Sequence, residues 1–230
     1  MEDKEYLQIH KRRLSFLLKL YEEYVDPNSV VGDIGVSPFS CMILKKGNFR
    51  KFYSIIPDEE FKDASTPCLK RLEYILFDLT SQRANVKRMV GVEKFDVIFF
   101  SEVMEHIFQE DSVILENLNL LLQEEGLLIL TVPNMASAWR RLKLLFGKNI
   151  VGTKTEIIHG VYGGYGHIRE YTFKEVKRLL TSTGFEIVRL EGFNGYGGEG
   201  IKGATARAVL DILPKTYAFH IVCIAKKGAR

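Results

Sequence analysis

The residues of this chain that could do chemistry fall into a few short stretches. In "SEVMEHIF", Glu102, Glu105 and His106 stand at i, i+3 and i+4. On a helix this spacing brings two carboxylates and an imidazole to one face. Such a trio could bind a hard divalent cation or hold a histidine as general base. A solvated helix start, with acids favoured by the dipole, is the plain alternative. In "YGHIREYT", His167 and Arg169 follow the glycine run "GVYGGYG" that ends 160–166. They suggest an acceptor-facing edge with Tyr165 and Arg169 as contacts, and Thr172 with Glu175 reads equally as a helix capping box. In "VVGDIGVSPFSC", Asp33 and Gly35 lie where a glycine lets backbone approach a ligand. Pro38 suits the first turn of a helix whose N–H groups could receive a carboxylate or phosphate. A bare strand-to-helix turn is the other reading. In "FDLT", Asp78 could accept from a base or sugar, although Asp is common at turns.

These stretches need elements to position them. Apolar residues at helical spacing predict a helix over about 4–24, ended by Asp26-Pro27-Asn28. Short apolar or β-rich runs predict strands over 30–35, 51–56, 73–77, 95–100 and 126–132, with two more over 185–193 and 219–227. Helices are predicted between them over 103–123 and 172–183, the second stopped by Gly184, with a short helix-like segment over 204–212. Strands alternating with helices argue for an α/β domain with a mainly parallel sheet. The continuous runs "DVIFF" and "LLILTV" suit central strands covered on both faces. Ligands then bind beyond the carboxyl ends of the strands, where strand order reverses, and each stretch above follows a strand.

The 230 residues suit one large domain or one domain with a small insertion. A net charge of +3, from 32 basic and 29 acidic residues, argues against nucleic acid as a partner. Cys41, Cys68 and Cys223 have no CxxC spacing and read as buried thiols of a reducing compartment rather than a disulfide or zinc site. The acidic N-terminus lacks the apolar core of a signal peptide, and no run approaches the ~18 residues of a membrane span. The expectation is a cytoplasmic protein.

Taken in order, "VGDIG", "FDLT", "FDVIFFSEVMEHI", "LLLQEEGLLILTVPN" and "GHIREYTFKEVKRLLTSTGFEIV" resemble the class I S-adenosylmethionine-dependent methyltransferases, type 11/12-like, over about 29–194. The resemblance implies a three-layer, Rossmann-like, seven-stranded, mainly parallel sheet with an antiparallel edge strand. It implies a single domain after an N-terminal helical segment of 1–28, with 135–170 as a lid or acceptor-recognition insertion in 29–230. S-adenosylmethionine is the implied cofactor. Asp33, Gly35 and Ser37 would lie at its methionine end. Asp58, or Glu59 or Glu60 of "PDEE", would bind the ribose hydroxyls. Asp78 and Leu79 would hold the adenine, and Ser101 and Glu102 would border the methyl. The implied reaction is O-methylation of a small molecule, sugar or lipid-linked glycan, with His106 as base and His167 second. Relatives with an E-x-x-E-H cluster bind magnesium, so Glu102, Glu105 and His106 form an alternative metal set that His167 could complete. This admits a metal-dependent RNA methyltransferase as a rival. The usual D-x-G-x-G-x-G loop has Ser37 and Phe39 in place of its second and third glycines. That departure admits a further rival, a methyltransferase-like binding protein without catalysis.

Overall fold

The computed structural model describes residues 2–62, 68–81, 93–159, 166–195 and 212–228. Tyr165, part of the 135–170 insertion and nearly all of the 204–212 segment lie outside them. Seven strands form one sheet: β1 (Val30–Ile34), β2 (Lys51–Ile56), β3 (Glu73–Leu76), β4 (Phe95–Ser101), β5 (Leu122–Pro133), β6 (Phe185–Phe193) and β7 (His220–Lys227). Their order is β3-β2-β1-β4-β5-β7-β6. β1 to β5 are parallel neighbours, and β7 runs antiparallel to both β5 and β6. The reversed strand is therefore one place in from the edge, with β6 outside it. Strand order turns back between β1 and β4, so a crevice opens at their carboxyl ends.

Helices cover both faces. On one face α3 (Asp111–Leu121) and α6 (Phe173–Ser182) pack Ile114, Leu115, Leu118, Val176 and Leu180 against Ile98, Phe100, Leu128 and Leu130. On the other, α1 (Glu2–Tyr24) and α2 (Pro38–Lys46) pack Leu14, Leu17, Leu20, Tyr21, Phe39 and Ile43 against Val31, Val97, Phe99 and Ile129. The apolar residues of β4 and β5 are split between the two clusters, as expected of central strands buried on both faces. Two short helices, α4 (Ala138–Leu145) and α5 (Lys154–His159), lie in the connection between β5 and α6.

Expectations about the elements and about the cysteines are corrected. The helix anticipated over 103–123 is two elements: a single 3-10 turn at Met104–His106, then α3 from Asp111 to Leu121. Met104 and Ile107 keep the helical spacing only because both reach the same core from the turn and the loop after it. β5 also begins at Leu122 rather than at Gly126, since Leu122 pairs with Phe95 across a register shift. The second correction concerns the cysteines. Cys41 of α2 and Cys68 are joined in a disulfide, with Cα atoms 5.9 Å apart, because the two packed segments bring them face to face. Cys223 is buried as a free thiol, and burial pushes it up to about 12.

Candidate active site

The crevice is a cavity of about 1370 Å³ at the carboxyl ends of β1 to β4. Small-molecule sites commonly measure ~300–1,000 Å³, so there is room for two ligands. Its floor begins with Gly35 and Val36. Gly35 has φ +91°, a conformation that favours glycine, and a Cβ built on it would meet no atom within 4 Å. The space above this backbone is therefore open cavity.

The next three residues turn away from ligand duty for local reasons. Ser37 caps α2: its side chain accepts from the N–H groups of Phe39 and Ser40, and the Ser40 hydroxyl answers the Ser37 N–H. Pro38 has no N–H to offer. Thus the first donors of α2 are consumed by its own cap, against the expectation that they face a ligand. Phe39 is buried edge-on to Phe99, ring centroids 5.1 Å apart. Asp33 is buried with Ser40 donating to it at 2.6 Å, and burial pushes its carboxyl up to about 7 against that hydrogen bond. Neither Asp33 nor Ser37 is on the cavity wall. Asp58 is also off the wall: it caps the turn Glu59–Phe61 by accepting from Glu60 N–H, leaving Pro57 and Phe61 to line the cavity.

Asp78, Leu79 and Thr80 form the far wall. The Asp78 carboxylate accepts from the Thr80 N–H and hydroxyl, at 2.8 and 2.7 Å, and so folds the loop on itself. Asn117 of α3 donates to the carbonyls of Leu79 and Ser81, and Gln109 to that of Thr80. The loop is held from its side chains outward.

Glu102 stands where β4 ends, with φ +55°. A non-glycine residue in this region costs on the order of 1–2 kcal/mol and survives only where its surroundings hold it. Here the Glu102 N–H donates to the Thr131 carbonyl, and Thr131 Oγ1 donates to Oε1 at 3.0 Å. Ser101 is a link behind it, 2.8 Å from Thr131 Oγ1, and is not on the wall. Oε2 of Glu102 lies 3.4 Å from Arg13 Nη1 and 3.5 Å from His220 Nε2. Arg13 and His10 come from α1, one turn apart, and both line the cavity. Burial pushes His10 down to about 4, with Arg13 adding to the effect, and burial likewise lowers His220.

The 3-10 turn directs Glu105 and His106 to a place the helical reading did not anticipate. The Glu105 carbonyl accepts from Ile168 N–H at 2.9 Å, which pins the 166–170 stretch beside the turn. His106 and His167 then meet edge to face, with centroids 4.9 Å apart. Their Nε2 atoms lie 3.9 and 4.0 Å from Glu105 Oε1. Glu105 is fully buried, and among the described residues neither of its carboxylate oxygens has a hydrogen-bond partner. Burial, and next the Glu102 charge, raise its carboxyl well above the usual range. His167 Nδ1 is 2.7 Å from Glu170 Oε1, which Arg140 also reaches at 2.5 Å. Burial opposes the Glu170 charge, but His167 and Arg140 outweigh it and hold the carboxyl below its usual range. Arg169 lines the cavity while pairing with Asp111 and Glu175.

The methyltransferase-domain family model matches residues 25–190, which span every wall of the crevice except α1. The chain belongs to the class I S-adenosylmethionine-dependent methyltransferases. Solved methyltransferases share its fold. One from Archaeoglobus fulgidus is 17% identical, with 98% of this chain and 100% of that one covered and a TM-score of 0.59. The N-methyltransferase NodS from Bradyrhizobium japonicum, solved with S-adenosyl-L-homocysteine, is 14% identical, covers 100% and 94%, and has a TM-score of 0.60. A Haloferax volcanii methyltransferase in complex with the Trm112 activator is 10% identical, covers 100% and 94%, and has a TM-score of 0.62. No curated protein has a matching sequence.

The cofactor of this methyltransferase is S-adenosylmethionine, and the crevice fits it. The bare Gly35 backbone, the 78–80 loop and Glu102 border one continuous cavity. Of the residues expected to bind the cofactor, Gly35, Asp78, Leu79 and Glu102 lie on that cavity, whereas Asp33, Ser37, Asp58 and Ser101 support it from behind or beside. His106 and His167 are brought together. In the metal-capable trio of the structure, His167 takes the position expected for Glu102: ligand atoms of Glu105, His106 and His167 lie within 4.8 Å of one another. His10, Arg13 and His220 have no motif around them in the sequence, and Glu102, the group common to all three, is over 80 residues from each.

Proposed function

We propose that this methyltransferase methylates a hydroxyl of a small molecule, sugar or lipid-linked glycan. S-adenosylmethionine supplies an electrophilic methyl on sulfur. A hydroxyl acceptor has a high pKa and must lose its proton as it reacts. The observation carrying the reading is the pair His106 and His167 on the cavity wall. His167 Nδ1 faces a carboxylate and His106 Nδ1 faces the Gly166 carbonyl at 3.3 Å, so each neutral ring carries its hydrogen on Nδ1. The basic lone pair of each ring is then on Nε2. His106 takes the acceptor proton, with His167 as the second base, and the ionised Glu170 carboxylate at His167 Nδ1 steadies positive charge on the histidine pair. Arg13 supplies the cation for the carboxylate at the methionine end, since the donors of α2 are spent on its cap. Arg169 borders the acceptor.

The trio Glu105, His106 and His167 also supports a second reading, in which a divalent cation held by one carboxylate and two imidazoles acidifies the acceptor hydroxyl.

The test is titration of the protein with S-adenosylmethionine by calorimetry, followed by transfer of a labelled methyl into a cell extract. Binding and base-stable labelling of an oxygen are expected, with His106→Ala reducing turnover about 10²–10⁴-fold at unchanged cofactor affinity. Binding without turnover overturns the catalytic reading. Turnover abolished by a chelator and restored by magnesium or manganese replaces the base with the cation.

A further inference from the structure

Residues 138–159 carry a surface that neither the cofactor nor the acceptor explains. One side of this segment borders the cavity through Arg140, Lys143, Ile150 and Ile157. The other side is apolar and open to solvent. No residue of α4 is buried. Trp139, Leu142, Leu145 and Phe146 are 52, 44, 79 and 71% exposed, and Ile158 adds to them. Trp139, Leu142 and Phe146 stand at i, i+3 and i+7 along α4 and its C-cap, one stripe of exposed apolar side chains, and such a stripe marks an interaction site.

Charge indicates the partner. The segment holds five basic residues, Arg140, Arg141, Lys143, Lys148 and Lys154, against one acidic residue, Glu156. The whole chain carries only +3, so the remainder is slightly acidic and the positive charge is concentrated here. Among the described residues, the segment's ion pairing is the Arg140–Glu170 contact. Lys143 rests its ammonium over the Trp139 ring, 5.8 Å from the centroid. Exposed leucine, phenylalanine and tryptophan interleaved with lysine and arginine are the composition of a helix lying in a membrane interface. A second copy of the chain would set five like charges against five, which disfavours that contact. An apolar protein partner would leave the cations without a role. No helix among the described residues is long and apolar enough to cross a bilayer, so the contact is peripheral.

We propose that residues 138–159 dock this methyltransferase on an anionic phospholipid surface. Trp139, Leu142, Leu145 and Phe146 enter the headgroup–acyl boundary, and Lys148 and Lys154 meet the anionic headgroups. The cavity, whose wall is the inner side of the same segment, then opens beside the bilayer, where a lipid-linked acceptor would be reached. Docking itself does not depend on the identity of the acceptor.

Trp139 is the sole tryptophan of the chain, so its fluorescence reports on the patch directly. The full chain is mixed with vesicles of phosphatidylcholine alone, or of phosphatidylcholine and phosphatidylglycerol in equal parts. A blue shift and co-sedimentation with the anionic vesicles are expected, reversed by high salt and absent with phosphatidylcholine alone. Leu145→Ser with Phe146→Ser, and separately Lys148→Glu with Lys154→Glu, should each weaken binding at least about tenfold. Calorimetric titration with S-adenosylmethionine, a ligand these four side chains do not border, verifies that the variants are folded. Three outcomes overturn the proposal: no shift with anionic vesicles, equal salt-insensitive binding to both vesicle types, or a self-associated chain that the Leu145 and Phe146 changes turn into a monomer.

Discussion

Glu102 joins backbone strain and buried charge at a single residue. Its left-handed backbone aims the carboxylate back at Thr131, Arg13 and His220 instead of along a helix face. This explains why Glu102 leaves the trio to which its spacing assigned it. It also places Arg13 as a cation on the wall of the cavity that Gly35 borders. Replacing Arg13 by Leu should weaken S-adenosylmethionine binding by about 10–100-fold, the loss of a hydrogen bond to a charged group. Asp58→Asn should change it little, because Asp58 is spent on its cap. Calorimetry on the two variants decides between them: a large loss at Asp58 and none at Arg13 would restore the assignment made from "PDEE".

At the scale of elements, the site depends on caps more than on helices. The Thr172–Glu175 box starts α6, with Thr172 N–H donating to Glu175 Oε2 at 2.9 Å. Just before it, Tyr171 is buried, donates to Asp111 at 2.6 Å and bridges to Asn134. His167 therefore hangs from a segment tied at Glu105, Asn134 and the cap. Thr172→Ala should cost about 1 kcal/mol of stability in urea unfolding and lower turnover more than cofactor affinity, since only the histidine side of the cavity loosens. The capping box was legible in "YTFKE" because both partners are local. The 3-10 turn was not, because 103–123 has helical periodicity throughout and the break is imposed by how Glu102 is held on β5.

At the scale of the molecule, buried ionisable groups set opposing pH responses. Asp33 has a carboxyl raised to about 7 by burial. Between about pH 4 and 7 the folded chain keeps a proton there that the unfolded chain releases. Stability from this group is therefore lost as pH rises, and the cost is complete above pH 7. His10, lowered to about 4, acts in reverse: the unfolded chain is the one that binds a proton between about pH 4 and 6.5, so stability rises with pH there. The two offset each other in weak acid. Asp33→Asn removes one arm. It should leave stability nearly unchanged at pH 4 and raise it at pH 8 by up to about 4 kcal/mol, three units at ~1.4 kcal/mol each. Urea unfolding across this range measures the difference, and parallel curves for the two proteins would refute the buried-carboxyl account.

The sequence by itself determined the strands, the order of the loops on the crevice and the family, because these depend on local apolar runs and on motifs a few residues long. It also located Gly35, the 78–79 loop and the two histidines as residues that follow strands. Tertiary structure alone decided which of them face the cavity. Ser37 and Asp58 look like ligands in the sequence, yet each is nearer to its own backbone than to any pocket and caps it. Arg13, His10 and His220 look like nothing, yet packing of α1 and β7 brings them to Glu102 from opposite ends of the chain. The joining of Cys41 to Cys68 is of the same kind. Contacts that close over long separations leave no periodicity to read, because they are made by the packing of whole elements rather than by neighbours in the chain.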